Sequence, residues 1–199
     1  MRSRWGWALL LGAMLAGCGG GGDAEGDVSA DDTSVNGSFA VCAANADGFT
    51  SMQTVLTFSD TQASFGLRQY VGTRCRGPAF VSIRFPLILL SGTGTQAVAA
   101  PSSGSVTAVR FTASSAGGTL TVDTGSDYVR VVNGQLQVVA PDSGLVIYSD
   151  DLVQAGYTNE KDLRVRVGGQ LFLGKSDGML NADGYPAGVD YAQPWTRLE

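Results

Sequence analysis

The stretch Gly169-Gln-Leu-Phe-Leu-Gly174-Lys175-Ser176 matches the GxxxxGK[ST] spacing of a phosphate-binding loop letter for letter. That chemistry needs the middle residues to wrap backbone N–H groups around phosphate, with a helix starting at the Lys-Ser pair. Here the middle is Gln-Leu-Phe-Leu, a strand by composition, and the following Asp177 to Gly184 has no helical period. Within it, Gly174-Lys-Ser176-Asp-Gly178 fits the GxSxG elbow of a serine nucleophile, which requires a strand-to-helix turn and a histidine base. The chain contains no histidine, so Ser-His-Asp, Cys-His and His-metal centres are all excluded. A Ser-Lys dyad could draw only on Lys161 or Lys175, and no serine is set beside either in an activating pattern. Asn181, Asp183, Gly184 and Asp190 fall at positions three, five, six and twelve of a calcium loop, but Met179 stands at position one and Pro186 interrupts it. Asp150-Asp151 could supply paired carboxylates for glycoside hydrolysis, and helix N-capping by Asp150 explains them more simply. The expectation is a protein that is not an enzyme, with no cofactor and no metal site.

The elements that would position such residues are strands. Period-two alternation punctuated by Gly, Ser, Asn and Asp predicts strands at Ser38–Ala43, Met52–Phe58, Ser64–Val71, Phe80–Leu89, Val106–Thr112, Thr119–Val122, Tyr128–Val132, Gln135–Ala140, Leu145–Tyr148, Leu163–Val167 and Gln170–Leu173. Asn133-Gly134 and Gly168-Gly169 predict two-residue hairpin turns, because these residues tolerate positive φ. Leu163, Val165 and Val167 alternate with Arg164 and Arg166, which predicts a sheet buried on one face and wet on the other. One short helix is expected over Asp151–Ala155, stopped by Gly156, and Ser91 to Ser105 reads as a long loop. The fold class is therefore all-β and antiparallel, a barrel or a sandwich.

The amino terminus has its own logic. Arg2 and Arg4 precede an uncharged run, Trp5 to Ala16. Twelve helical residues reach only about 18 Å against a hydrocarbon core of ~30 Å, so the layout is that of a signal peptide and not of a span. Leu15-Ala16-Gly17-Cys18 resembles the bacterial lipobox. The resemblance implies cleavage between Gly17 and Cys18, lipid attachment at Cys18, and a membrane anchor made stable by more than one acyl chain. Gly19 in place of an Asp points to the outer membrane. Gly19 to Asn36 is glycine-rich with five acids and no bases, which reads as a flexible tether. The expected organisation is a signal peptide at 1–17, a tether at 18–36 and a single β domain at 37–199.

Charge and cysteine usage follow from export. Loss of Arg2 and Arg4 takes the net charge from −5 to −7, and setting aside the five tether acids leaves about −2. Nucleic acid is thus no expected partner. With Cys18 lipidated, Cys42 and Cys75 remain as an even pair in an oxidising compartment, where a disulfide is expected. Their spacing is far from CxxC, and a zinc site would lack histidine.

Gly37-Ser-Phe39, Cys42, Val55-Leu-Thr-Phe58, Tyr70 and Cys75 resemble the opening of lipocalin-like (calycin-type) bacterial lipoproteins, a largely uncharacterised group. Gln170-Leu-Phe-Leu-Gly174, Tyr185-Pro186, Asp190 and Trp195-Thr-Arg197 resemble their last strand and strapping tail, while Phe39 departs from the more usual Trp. The likeness implies an up-and-down lipocalin-like β-barrel. It covers the two ends of the domain, and Leu90 to Asp127 has no counterpart in it. A barrel of this class can hold a small apolar ligand among Phe58, Phe65, Tyr70, Phe85, Phe111, Tyr128 and Phe172. The alternative is a filled core and an envelope protein that meets a partner protein through an exposed apolar patch in the Leu90–Ser105 loop or the tail.

Overall fold

The computed structural model describes residues 35–140 and 142–198. The leader, the lipobox with Cys18 and nearly all of the tether lie outside the described residues. The described chain is all β: β1 (Gly37–Ala44), β2 (Thr50–Phe58), β3 (Gln62–Val71), β4 (Val81–Arg84), β5 (Ile88–Ala99), β6 (Ser105–Ser115), β7 (Gly118–Thr119), β8 (Thr121–Thr124), β9 (Val129–Val132), β10 (Gln135–Val139), β11 (Val146–Asp151), β12 (Val153–Gln154), β13 (Tyr157–Val167), β14 (Gln170–Leu173) and β15 (Thr196–Arg197). It divides into two compact units, one built from 36–90 and 114–158, the other from 91–113 and 159–197.

In the first unit β1, β2 and β3 form an antiparallel meander. β3 then pairs with β5 at Ala63↔Ile88 and with β4 at Gly66↔Arg84, and β4 pairs with β8. The run Phe80–Leu89, read as one strand, is two. Pro86 lies between them and has no N–H for a ladder, so β4 ends at Arg84 and β5 starts at Ile88. One face of the meander carries Phe39, Leu56, Phe58, Ala63 and Phe65, all buried, with Phe65 and Phe85 meeting edge-to-face at 4.6 Å. Cys42 and Cys75 form a disulfide that ties β1 to the loop after β3. The buried Ser51 hydroxyl accepts the Cys75 N–H at 2.9 Å and ties that loop to β2 as well.

The expected helix at Asp151–Ala155 is absent; those residues are extended. Asp150 and Asp151 end β11, and Val153-Gln154 pairs with Gly118-Thr119 as β12 on β7. Five residues cannot offset the cost of helix nucleation, and the ladder satisfies their backbone instead. Gly156 is not a helix stop. A Cβ there would lie 2.8 Å from the Ala116 carbonyl oxygen, so glycine is needed for two backbones to pass.

The second unit orders its strands β14-β13-β6-β5. Ser91–Ser105 is not a loop: β5 runs unbroken to Ala99, and only 100–104 turn before β6. Its Gly and Ser residues suggested a loop, but Thr93, Thr95 and Val98 are β-branched, and β6 supplies a ladder for the backbone groups. Both predicted hairpins form, with positive φ at Asn133, Gly134, Gly168 and Gly169. Leu163, Val165 and Phe172 pack with Val98, Val106, Ala108, Tyr185 and Val189 as the core of this unit. The opposite face is not simply wet: Arg164 and Arg166 are half-buried, and the Arg164 guanidinium lies 5.5 Å over the Phe111 ring.

Candidate functional site

The registers of β2, β3, β4 and β8 bring one set of polar residues onto the face away from Leu56 and Phe65. Paired positions share a face, so Val55, Gly66, Arg84 and Thr121 form one row, and Gln53, Arg68, Ser82 and Asp123 the next. Thr57 and Ser64 add a shorter third row. Together these strands line an open cleft of about 420 Å³, with Val55, Thr57, Ser64, Arg68, Ser82, Arg84 and Asp123 around it. Gly66 leaves bare backbone between Val55 and Arg84; a Cβ there would sit 3.2 Å from the Ile83 carbonyl oxygen. Thr57 is held in place by a 2.8 Å hydrogen bond between its hydroxyl and that of Ser38.

Arg68 and Arg84 are diagonal neighbours on adjacent strands. Such positions lie about 7–8 Å apart, within the span of two long side chains. Both are exposed, and among the described residues neither carries an ion pair or a side-chain hydrogen bond. Asp123, across from Ser82, is exposed and likewise unpaired among the described residues. The cleft thus offers two guanidinium forks, three hydroxyls, one carboxylate and an apolar wall.

A second polar cluster lies in the other unit and does a different job. The Tyr185 ring is flanked by the Arg110 guanidinium at 4.7 Å and the Lys161 ammonium at 5.2 Å, and its hydroxyl meets Thr93 at 2.5 Å. Arg110 also pairs with Asp183 at 2.8 Å. Asn181 Oδ1 accepts the Asp183 and Tyr185 N–H groups, and its amide donates to Gln96 at 2.6 Å. The contacts with Thr93, Gln96, Arg110 and Lys161 stitch the tail onto β5, β6 and β13, while the Asn181 Oδ1 bonds shape the tail's own turn.

This knot answers the calcium-loop spacing. The Asn181 oxygen is spent on backbone donors, and the Lys161 ammonium donates to the Asp183 carbonyl oxygen, so a protein cation already occupies the loop. Lys175 pairs with Asp177 at 3.3 Å. Both lysines are therefore engaged, Lys161 with Asp183 and Lys175 with Asp177. Gly169–Ser176 is not a phosphate loop either. Gln170–Leu173 is β14, and the backbone at Gly174 is packed so closely on Asp162 and Pro186 that no Cβ would fit. Asp150 and Asp151 bond to Tyr148 and Gln135 respectively, each at 2.9 Å, on an exposed strand.

Asp162 is the most perturbed acid. Its half-buried carboxyl accepts the Leu163 N–H at 2.7 Å, yet desolvation outweighs the backbone donors and pushes its pKa up to about 7. It sits beneath the tail and outside the cleft.

Of the seven aromatics expected around an interior ligand, Phe58, Phe65, Tyr70, Phe111 and Phe172 are buried and Phe85 is half-buried. Tyr128 is 53% exposed and lines no interior. Of the two places expected for an exposed apolar patch, residues 91–97 present mainly Ser, Gly and Thr, while the tail exposes Met179 and Leu180; Leu145, Val146, Ile147 and Tyr148 also stand exposed on and beside β11.

A scan against protein-family models, a search of curated proteins and a search of solved structures each found no match. Among the described residues, no helix is long and apolar enough to cross a membrane. The sequence reading missed the cleft because its residues are spread over four strands. One signal was present: Thr61 to Leu90 holds Arg68, Arg74, Arg76 and Arg84 and no acid, in a chain of net charge −5.

Proposed function

We propose that this chain is an exported, non-enzymatic lipoprotein of the cell envelope that binds a small ligand on the polar face of β2, β3, β4 and β8. In this reading the chain is cleaved after Gly17, lipidated on Cys18 and held at the outer membrane by that lipid. The tether keeps the β domain clear of the bilayer. The antiparallel meanders are read as parts of a lipocalin-like barrel. Its ligand is placed in the outer cleft, because five of the seven aromatic residues expected inside are buried among other side chains. The observation that carries the binding role is the pair of unpartnered arginines over a cleft of about 420 Å³, a size typical of small-molecule sites. Metabolic labelling with palmitate tests the anchor. The full-length chain is expected to take up label in the outer membrane, and Cys18→Ser to take up none; an unlabelled wild type would overturn it.

A second reading, an envelope protein that meets a partner protein, is favoured by β11. This strand is exposed at every residue and, among the described residues, has one strand neighbour, β10, so its other edge could accept a partner's strand. A photo-crosslinking residue in place of Tyr148 in intact cells would capture such a partner, and no crosslinked species would dismiss it.

A further inference from the structure

We infer that the cleft on β2, β3, β4 and β8 is a site for a small polyhydroxylated anion, a sugar that carries a phosphate or carboxylate group. The inference rests on the reading that this face binds a small ligand, and it adds the chemistry. Arg68 and Arg84 project from diagonal positions over the bare backbone of Gly66. Two guanidinium forks so placed can converge on one anionic group, each offering paired N–H donors to its oxygens. Neither forms an ion pair among the described residues, and with Asp123 diagonal to Arg84 the cleft keeps a net positive charge for a ligand. Arg74 and Arg76 flank Cys75 in the loop after β3, and the bridge to Cys42 ties that loop to the row of Gln53 and Arg68, adding positive charge on this side of the sheet.

The remaining groups argue against a bare inorganic anion as the whole ligand. Asp123 lies across Ser82 from Arg68 and diagonal to Arg84, on the β8 side of the cleft, where it would repel a second negative group. It suits the hydroxyl end of a ligand, as do the hydroxyls of Thr57, Ser64 and Ser82, which can each donate and accept. Val55 supplies an apolar contact beside them. The ligand's anionic group therefore sits on the arginines, and its hydroxyl-bearing body reaches toward Asp123.

The test is amide chemical-shift mapping on the full-length chain in detergent, titrated separately with glucose 6-phosphate, glucuronate, inorganic phosphate and glucose. The expected result is shifts confined to β2, β3, β4 and β8 with the first two probes, several-fold weaker binding of inorganic phosphate, and none with glucose. The relative affinities of glucose 6-phosphate and glucuronate decide between phosphate and carboxylate. Arg84→Gln is expected to weaken binding at least tenfold, the Arg68→Gln/Arg84→Gln pair to abolish it, and Arg84→Lys to retain part. Both arginines are exposed, so an unchanged urea midpoint verifies that the variants are folded, and the lysine variant supplies a second readout. Equal shifts with glucose would overturn the anionic class while leaving a ligand-binding cleft. Equal affinity for inorganic phosphate would overturn the hydroxyl-bearing body. Unmoved amides with every probe, or binding that survives the double variant, would overturn the site itself.

Discussion

At the scale of single residues, Asp162 shows how packing overrides local donors. Its carboxyl is held near pKa 7 against an ordinary 3.8, so the folded state binds a proton more tightly than the unfolded chain does. Stability must then fall as pH rises from about 4 to about 7, because over that window the native state holds the proton that the unfolded state has lost. Such a shift could reach about 4 kcal/mol, and partial exposure brings the expected loss to ~1–3 kcal/mol. Urea unfolding at pH 5 and pH 8 should show this loss in the wild type and a flat profile in Asp162→Asn. A wild type equally stable at both pH values would contradict it. Gly174 is the steric counterpart. A methyl group there would collide with Asp162 and Pro186, so Gly174→Ala should cost about 2 kcal/mol or more, read as a lowered urea midpoint.

At the scale of elements, the disulfide and β11 carry opposite expectations. The Cys42–Cys75 bridge closes 33 residues between β1 and the loop after β3. By the chain-entropy argument, Cys42→Ser/Cys75→Ser should lower stability by roughly 3–4 kcal/mol in denaturant titration. Ile147 lies at the register shift of the β10–β11 ladder and is 66% exposed. Ile147→Lys should therefore leave the unfolding free energy in urea within about 0.5 kcal/mol of wild type, while reducing any self-association seen in sedimentation. The short strands were the least legible elements. Gly118-Thr119 and Val153-Gln154 form a ladder only because Gly117 and Gly156 let two distant segments touch, and no local period encodes that. The hairpins at Asn133-Gly134 and Gly168-Gly169 were legible, because a two-residue turn depends on φ preferences carried by those residues themselves.

At the scale of the whole molecule, the acidic balance conceals a local reversal. The chain is net −5, yet thirty residues from Thr61 to Leu90 carry four arginines and no acid. Oxygen-rich loops in such a chain invite a metal reading, and the Asn181–Gly184 loop meets it with Lys161. Thermal unfolding of the full-length chain should accordingly keep the same Tm with calcium or with a chelator. A calcium-dependent rise would show that a metal displaces the lysine.

Sequence by itself determined the features that depend on near neighbours: the strand-rich class, both two-residue turns and the absence of histidine chemistry. These follow from residue type and spacing over a few positions. Tertiary structure alone decided that the backbone at Gly174 packs on Asp162 and Pro186, that Asn181 and Asp183 tie down the tail, and that Arg68 and Arg84 share one face over Gly66. Each of those outcomes depends on register, which sets which face a side chain takes and which residue far along the chain lies opposite it.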